Sequence, residues 1–183
     1  MCIRDSSDEY RARIQSTLAA LQIPQDLLAN RALPLQPEAS ELVVAETGRD
    51  GREHLLVAAA ADAWRAMRAA AAADGIEIEI VSAFRSVDRQ AEIVRGKLGR
   101  GLSLEQIFTA SAPPGYSEHH TGCAVDVGTP EARALEQVFG ETAAYRWLVE
   151  RAGGFSFVLS YPRGNTSGYA FEPWHWCYRS VIA

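Results

Sequence analysis

An α+β fold in one domain follows from three features of this 183-residue chain. Glu53–Asp74 sets Leu56, Ala60, Trp64, Met67 and Ala71 on one helical face. Ile76, Ile78 and Ile80 alternate with Glu77 and Glu79, the period of a half-buried strand. Trp174–Tyr178 (WHWCY) gathers the aromatic residues that strands favour. No repeat, low-complexity tract or linker divides the chain, and its length suits a single sizeable core. Residues 1–40 read as a helical segment packed on a main domain of residues 41–183.

The elements follow in order. Ser6 with Glu9 forms a capping-box pattern that opens a helix to about Leu21. Pro24–Arg31 reads as a short second helix, Pro34–Ser40 as a connector and Leu42–Ala45 as a short strand. The long helix Glu53–Asp74 comes next, with His54 on the surface at its start and Gly75 ending it. An apolar strand from Ile76 runs to Phe84, and helices are predicted over Val87–Leu98 and Ser103–Phe108. Ala112–Tyr116 is a loop, and Ala124–Val127 a short strand after Gly122. Pro130–Phe139 and Glu141–Ala152 read as helices, and Phe155–Ser160 and Trp174–Tyr178 as strands. Between those two strands, Asn165–Gly168 is turn-rich and predicted to rim a cleft.

Composition narrows the function classes. A formal charge of −5 argues against nucleic acid as partner, because phosphate binding needs a basic face. No run approaches the ~18 apolar residues of a membrane span. Met1–Ser6 is polar and lacks the basic-then-apolar pattern of a signal peptide, so the chain reads as cytoplasmic. With a truncated start, the periplasm or cell envelope is expected instead. Strand parity sets Cys123 and Cys177 on different faces, so free thiols are expected, in a monomer.

Two segments carry the chemistry: Ser117–Gly128 (SEHHTGCAVDVG) and Glu172–Trp176 (EPWHW). They hold imidazoles and carboxylates in the numbers of an open zinc site, in which three protein ligands leave one position for water. Asp126 stands among small apolar residues, where a carboxylate needs a partner or a cation. His175 lies in a strand with Trp174 and Trp176 directed the other way, toward the core. Pro173 argues against a helical Glu-x-x-His, which leaves Glu172 near a metal but not bound to it. On composition alone, His119 and His120 are interchangeable as ligands. Arg85, at a junction of strand and helix, can project into a cleft, whereas Arg65, Arg68, Arg89 and Arg95 fall on solvated helical faces.

The string Ser117, His119, Gly122, Ala124 and Asp126 resembles the zinc motif of the VanY-like D-alanyl-D-alanine carboxypeptidases. Ser82-Ala83-Phe84-Arg85-Ser86 with Gln90, Pro114-Gly115-Tyr116, Phe157–Pro162 and Glu172–Trp176 are similar to further segments of that family, in the same order. The resemblance implies a small antiparallel sheet carrying the zinc site, flanked by helices, as in the hedgehog and D-Ala-D-Ala peptidase folds. It implies one Zn2+ held by His119, Asp126 and His175, which selects His119 over His120. Glu172 would be the general base, Arg85 the cation facing the scissile carbonyl, and Ser117, Gln90 and Tyr161 substrate contacts. The implied substrate is a peptidoglycan stem peptide or muropeptide losing its C-terminal D-alanine.

Cys123 and Cys177 depart from the family pattern, and Cys177 shares strand parity with His175. Two other functions compete with the carboxypeptidase: an endopeptidase cutting L-Ala-D-Glu bonds, and a non-catalytic zinc-stabilised binding module. The presence of both Glu172 and Arg85 weighs against the module. Tyr161 and Tyr169 flank the turn-rich segment and are the aromatic residues expected nearest substrate.

Overall fold

The computed structural model describes residues 8–29, 31 and 33–179. Ser6, proposed as a helix cap, lies outside the described residues. The chain opens with α1 (Asp8–Ala20) and α2 (Gln25–Ala29), followed by the hairpin β1 (Val43–Thr47) and β2 (Glu53–Leu56). Then come α3 (Ala58–Ala73), β3 (Glu79–Ser82), α4 (Val87–Leu98), α5 (Leu104–Phe108), β4 (Ala124–Gly128), α6 (Ala143–Arg151), β5 (Phe157–Leu159) and β6 (His175–Tyr178). Short 3-10 turns occupy Glu118–Thr121, Gln137–Glu141 and Ala152–Phe155.

The site rests on a four-stranded antiparallel sheet of order β3-β4-β6-β5. In its centre Asp126 of β4 stands directly opposite His175 of β6, and Val125 opposite Trp176. Alternation therefore divides the sheet. Val125, Val127, Ile80, Trp176 and Phe157 face the main core with α3, while Asp126 and His175 face away from it. Trp174 packs partly buried against the same core, as its parity predicts. The alanines of α3 let that helix approach β1 closely, while Trp64 and Met67 are buried in the core shared with the four-stranded sheet. Trp64 donates to the buried carboxylate of Glu46 at 2.8 Å, and Ile80 N–H donates to the same carboxylate at 3.1 Å. Glu46 thus ties β1, α3 and β3 together without leaving a buried charge unpartnered.

A second apolar cluster joins Ile14, Leu18, Leu21 and Ile23 to Val87, Ala91 and Val94 of α4 and to Ile107 and Phe108 of α5. The residues after α2 reach the loop and 3-10 turn that lead into β4 as well. Gln36 N–H bonds to Gly115 O at 2.8 Å, and Ala39 N–H to His120 O at 2.8 Å.

Two predicted helices are corrected. Glu53–Asp74 becomes a helix only at Ala58, because Glu53–Leu56 pair with β1 across a turn containing Asp50 and Gly51, whose φ is 79°. His54 is accordingly a buried strand residue and not an exposed helix start. Pro130–Phe139 is irregular apart from the turn at Gln137–Glu141, and Leu135, at φ 59°, interrupts any helical course. By contrast, α4 spans the predicted residues, and Ser103 caps α5 with a reciprocal Gln106 bond.

Candidate metal centre

The 3-10 turn Glu118–Thr121 begins at Ser117, whose hydroxyl accepts from His119 N–H at 3.4 Å. It ends at Gly122, whose φ of 66° turns the chain into β4. This reversal sets His119 above Asp126. The ring Nδ1 of His119 lies 2.7 Å from Ala83 O, so it carries the proton and Nε2 is left as the lone-pair donor. That Nε2 is 3.2 Å from Asp126 Oδ2. His175 Nδ1 is 3.0 Å from Asp126 Oδ1, and the two imidazoles meet edge to face with centroids 4.9 Å apart.

The structure thus brings His119, Asp126 and His175 together as a buried cluster with one ligand atom each, all within 4.8 Å of one another. His120 goes elsewhere. Its Nε2 accepts from Gly115 N–H at 3.1 Å and its Nδ1 donates to Arg85 O at 2.6 Å, so it braces the backbone. Burial pushes its pKa down to about 4, and it remains neutral in that role.

The charges of the cluster suit a cation. Burial would raise the Asp126 carboxyl, but His119 and His175 hold it far below the ordinary range. Burial would lower His175, yet its bonds to Asp126 and Glu118 push it up to about 10 in the metal-free protein. Two carboxylates around one imidazole call for a positive charge between them, which a divalent ion at Nδ1 would supply in place of the proton. Two imidazoles and a carboxylate are also the donor types zinc takes in three-ligand sites.

Arg85 lies beside this cluster, its guanidinium 3.9 Å from Asp126 Oδ2. It donates to Gln90 Oε1 at 2.7 Å and to Ser82 Oγ at 3.1 Å. Gln90 is wholly buried, and its amide nitrogen donates to Ala112 O at 2.6 Å. Both ends of Gln90 are therefore engaged by the protein. Glu172 precedes β6, with its N–H bonded to Tyr161 O at 3.1 Å and its O accepting from His175 N–H at 3.1 Å. Burial pushes its carboxyl up to about 7, against the pull of His175 and Arg85. Tyr161 lies with its ring centroid 4.8 Å from His175 and 4.7 Å from Tyr169. The Arg31 guanidinium covers Tyr169 at 4.4 Å and donates to Gly168 O at 2.7 Å and to Phe108 O.

Sequence reasoning passed over two groups. Glu118 sits inside the motif string but finds His175 only through the fold, at 3.0 Å between Oε2 and Nε2. Lys97, bonded to Ser111 Oγ, is partly buried within electrostatic reach of Arg85 and Glu172. The cysteines Cys123 and Cys177 are free, as expected. Burial and the Glu118 charge raise the Cys177 thiol, which keeps it protonated near neutrality and a poor competitor for metal. Cys123 precedes β4, so strand parity does not govern it, and it too lies within reach of the Glu118 charge.

The chain is similar to known proteins in sequence and in fold. YodJ of Bacillus subtilis (strain 168), whose name assigns it provisionally to the carboxypeptidases, is 33% identical over 169 residues, 86% of this chain and 62% of that protein. A D-alanyl-D-alanine carboxypeptidase of Enterococcus faecalis (strain ATCC 700802 / V583) is 34% identical over 124 residues, 62% of this chain and 44% of that protein. The chain therefore spans less than two thirds of the length of either relative. Among solved structures, the LdcB LD-carboxypeptidase superposes with a TM-score of 0.70 at 33% identity, over 79% of this chain and 71% of that one. A VanY D,D-pentapeptidase variant from a VanB-type resistance cassette, in complex with Zn(II), does so with a TM-score of 0.60 at 30% identity, over 80% and 82%. The family model described as VanY, D-alanyl-D-alanine carboxypeptidase, matches residues 53–181, from β2 through the whole sheet, and the chain belongs to that family.

Proposed function

We propose that the protein is a zinc-dependent carboxypeptidase, acting as a monomer, that hydrolyses the C-terminal D-alanine bond of peptidoglycan stem peptides. The observation that carries this reading is the juxtaposition of the buried His119, Asp126 and His175 cluster with a carboxyl, Glu172, held at about 7. Zinc bound by those three residues supplies a Lewis acid and brings the pKa of a water to roughly 7. Glu172 takes a proton from the attacking water and delivers it to the leaving amine, and a base so placed contributes ~10²–10⁴-fold. Arg85 faces the carbonyl oxygen as negative charge develops there. Its fork is aimed by Gln90 and Ser82, so Gln90 acts as a positioning residue for Arg85 rather than as a substrate contact. Ser117 and Tyr161 line the approach, with the Tyr161 ring against His175.

The named activities of the relatives support an exopeptidase over the endopeptidase. The test is release of D-alanine from muramyl tetrapeptide and pentapeptide with zinc, with chelator, and with Glu172→Ala. The expected result is zinc-dependent release from one substrate and retention of zinc without turnover in the variant. Release from pentapeptide alone marks a D,D preference, and from tetrapeptide alone an L,D preference. No release from either by a zinc-loaded protein overturns the proposal. Loss of zinc in the variant overturns the role given to Glu172.

A further inference from the structure

We propose that Glu118 is the positioning residue of the metal centre: its carboxylate fixes the Nε2–H tautomer of His175, so that Nδ1 is the metal donor. The inference rests on the zinc reading of the cluster. The His175 ring has a carboxylate oxygen 3.0 Å from each nitrogen, Asp126 at Nδ1 and Glu118 at Nε2. The two sides are not equivalent. Asp126 also approaches His119 Nε2 at 3.2 Å, so the three lone-pair donors converge on the Nδ1 side. Glu118 stands on the far side of the ring with its oxygens already taken. Oε1 accepts from Arg179 at 2.5 Å, and Oε2 accepts from Ser160 Oγ at 2.6 Å as well as from His175. A carboxylate so engaged cannot swing to the metal. It can hold one N–H.

His119 has a weaker version of the same device, with a neutral carbonyl, Ala83 O, accepting its Nδ1–H. A charged acceptor on His175 raises the basicity of the opposite nitrogen more than a carbonyl does. The Tyr161 ring, 4.8 Å from His175, limits rotation of the imidazole. Glu118 and His119 are neighbours on one 3-10 turn, so a single turn supplies one ligand and the brace of another. Arg179 follows β6 and Ser160 follows β5, which locks the brace to the strand that carries His175.

The experiment measures zinc affinity by competition with a chromophoric chelator, the visible spectrum of the cobalt-substituted protein, and the 15N shifts of the His175 ring. In the zinc-loaded protein, Nδ1 should be metallated and Nε2 protonated; the reverse assignment overturns the proposal without any variant. Glu118→Ala should weaken zinc about 10–100-fold and shift the cobalt absorption. Glu118→Gln keeps an acceptor of similar length and should recover part of both. Arg179→Met removes only the outer clamp, leaves the His175 contact, and should cost less than Glu118→Ala. If Glu118→Ala fails to fold, the 15N assignment and Arg179→Met with Glu118→Gln decide the matter. Zinc affinity within threefold of the parent in Glu118→Ala, with an unchanged cobalt spectrum, overturns the role of Glu118 while leaving the metal site intact. A parent protein that binds no zinc overturns the metal reading and this inference together.

Discussion

Glu172, the base of the proposed reaction, also carries a stability cost. Its carboxyl sits at about 7 because burial disfavours the charged form. A base must be deprotonated, so kcat/KM should rise with pH along a single limb attributable to Glu172. The charge of a bound metal moves that limb to lower pH. A pH–rate profile checks this, and a limb unchanged in the residual activity of Glu172→Gln would assign it to another group. The same displacement works against the metal-free fold. Because the folded carboxyl holds its proton more tightly than the ordinary 4.5, its stability contribution is intact below that value and is lost as pH rises through 7. Glu172→Gln should therefore stabilise the metal-free protein at pH 8 by on the order of 3 kcal/mol, read by denaturant unfolding, with no gain at pH 4. At this scale residue type pointed to Asp126, His175 and one of His119 and His120, the family resemblance selected His119, and the fold brings that histidine beside the other two. The sequence was silent on Glu118, whose partner lies 57 positions away and is defined only by packing.

At the scale of elements, the candidate ligands depend on register. A one-residue slip between β4 and β6 would send Asp126 and His175 to opposite faces. Gly122 protects that register. A Cβ there would meet Leu42 Cδ2 at 2.9 Å and the backbone nitrogen of Val57 at 3.2 Å, at a φ of 66°. Gly122→Ala should cost about 1–3 kcal/mol of stability and weaken zinc binding, checked by thermal unfolding and metal titration together; unchanged affinity would separate the turn from the site. Helices with clear ends were legible, because Ser86 and Ser103 cap α4 and α5 and a strong apolar period follows. The β1–β2 hairpin was not. Its second strand, Glu53–Leu56, abuts the helix in sequence and carries apolar residues that fit either period, and only pairing with β1 decides between them. Leu135 illustrates the other failure, a left-handed residue inside a stretch whose composition suits a helix.

Across the whole molecule, the part matched by the family model is packed and hydrogen-bonded by residues ahead of it. Residues ahead of Glu53 supply Ile14 and Leu18 to the cluster beneath α4, Gln36 bonds the loop that enters the 3-10 turn Glu118–Thr121, and Ala39 bonds His120 within that turn. Gly115 leaves no room for a side chain against Ile14, so α1 packs directly on the loop that enters the site. A chain beginning at Glu53 should lose cooperative unfolding or solubility, whereas Ile14→Ala in the longer chain should cost about 2–4 kcal/mol and lower activity more than a surface substitution does. Calorimetry of the two variants tests this, and a truncated chain with the parent's Tm and zinc affinity would refute it. Among the described residues no helix is long and apolar enough to cross a membrane.

The connection between β5 and β6 closes at its base, where Glu172 N–H meets Tyr161 O, and is pinned farther out by Arg31 on Gly168 and Tyr169. The candidate metal donors lie outside it, on the turn and the two central strands. Residues 162–171 thus contribute none of the candidate metal donors. Grafting this stretch from a relative, with Gly168 and Tyr169 retained beneath Arg31, should therefore leave zinc affinity unchanged, which a metal titration checks.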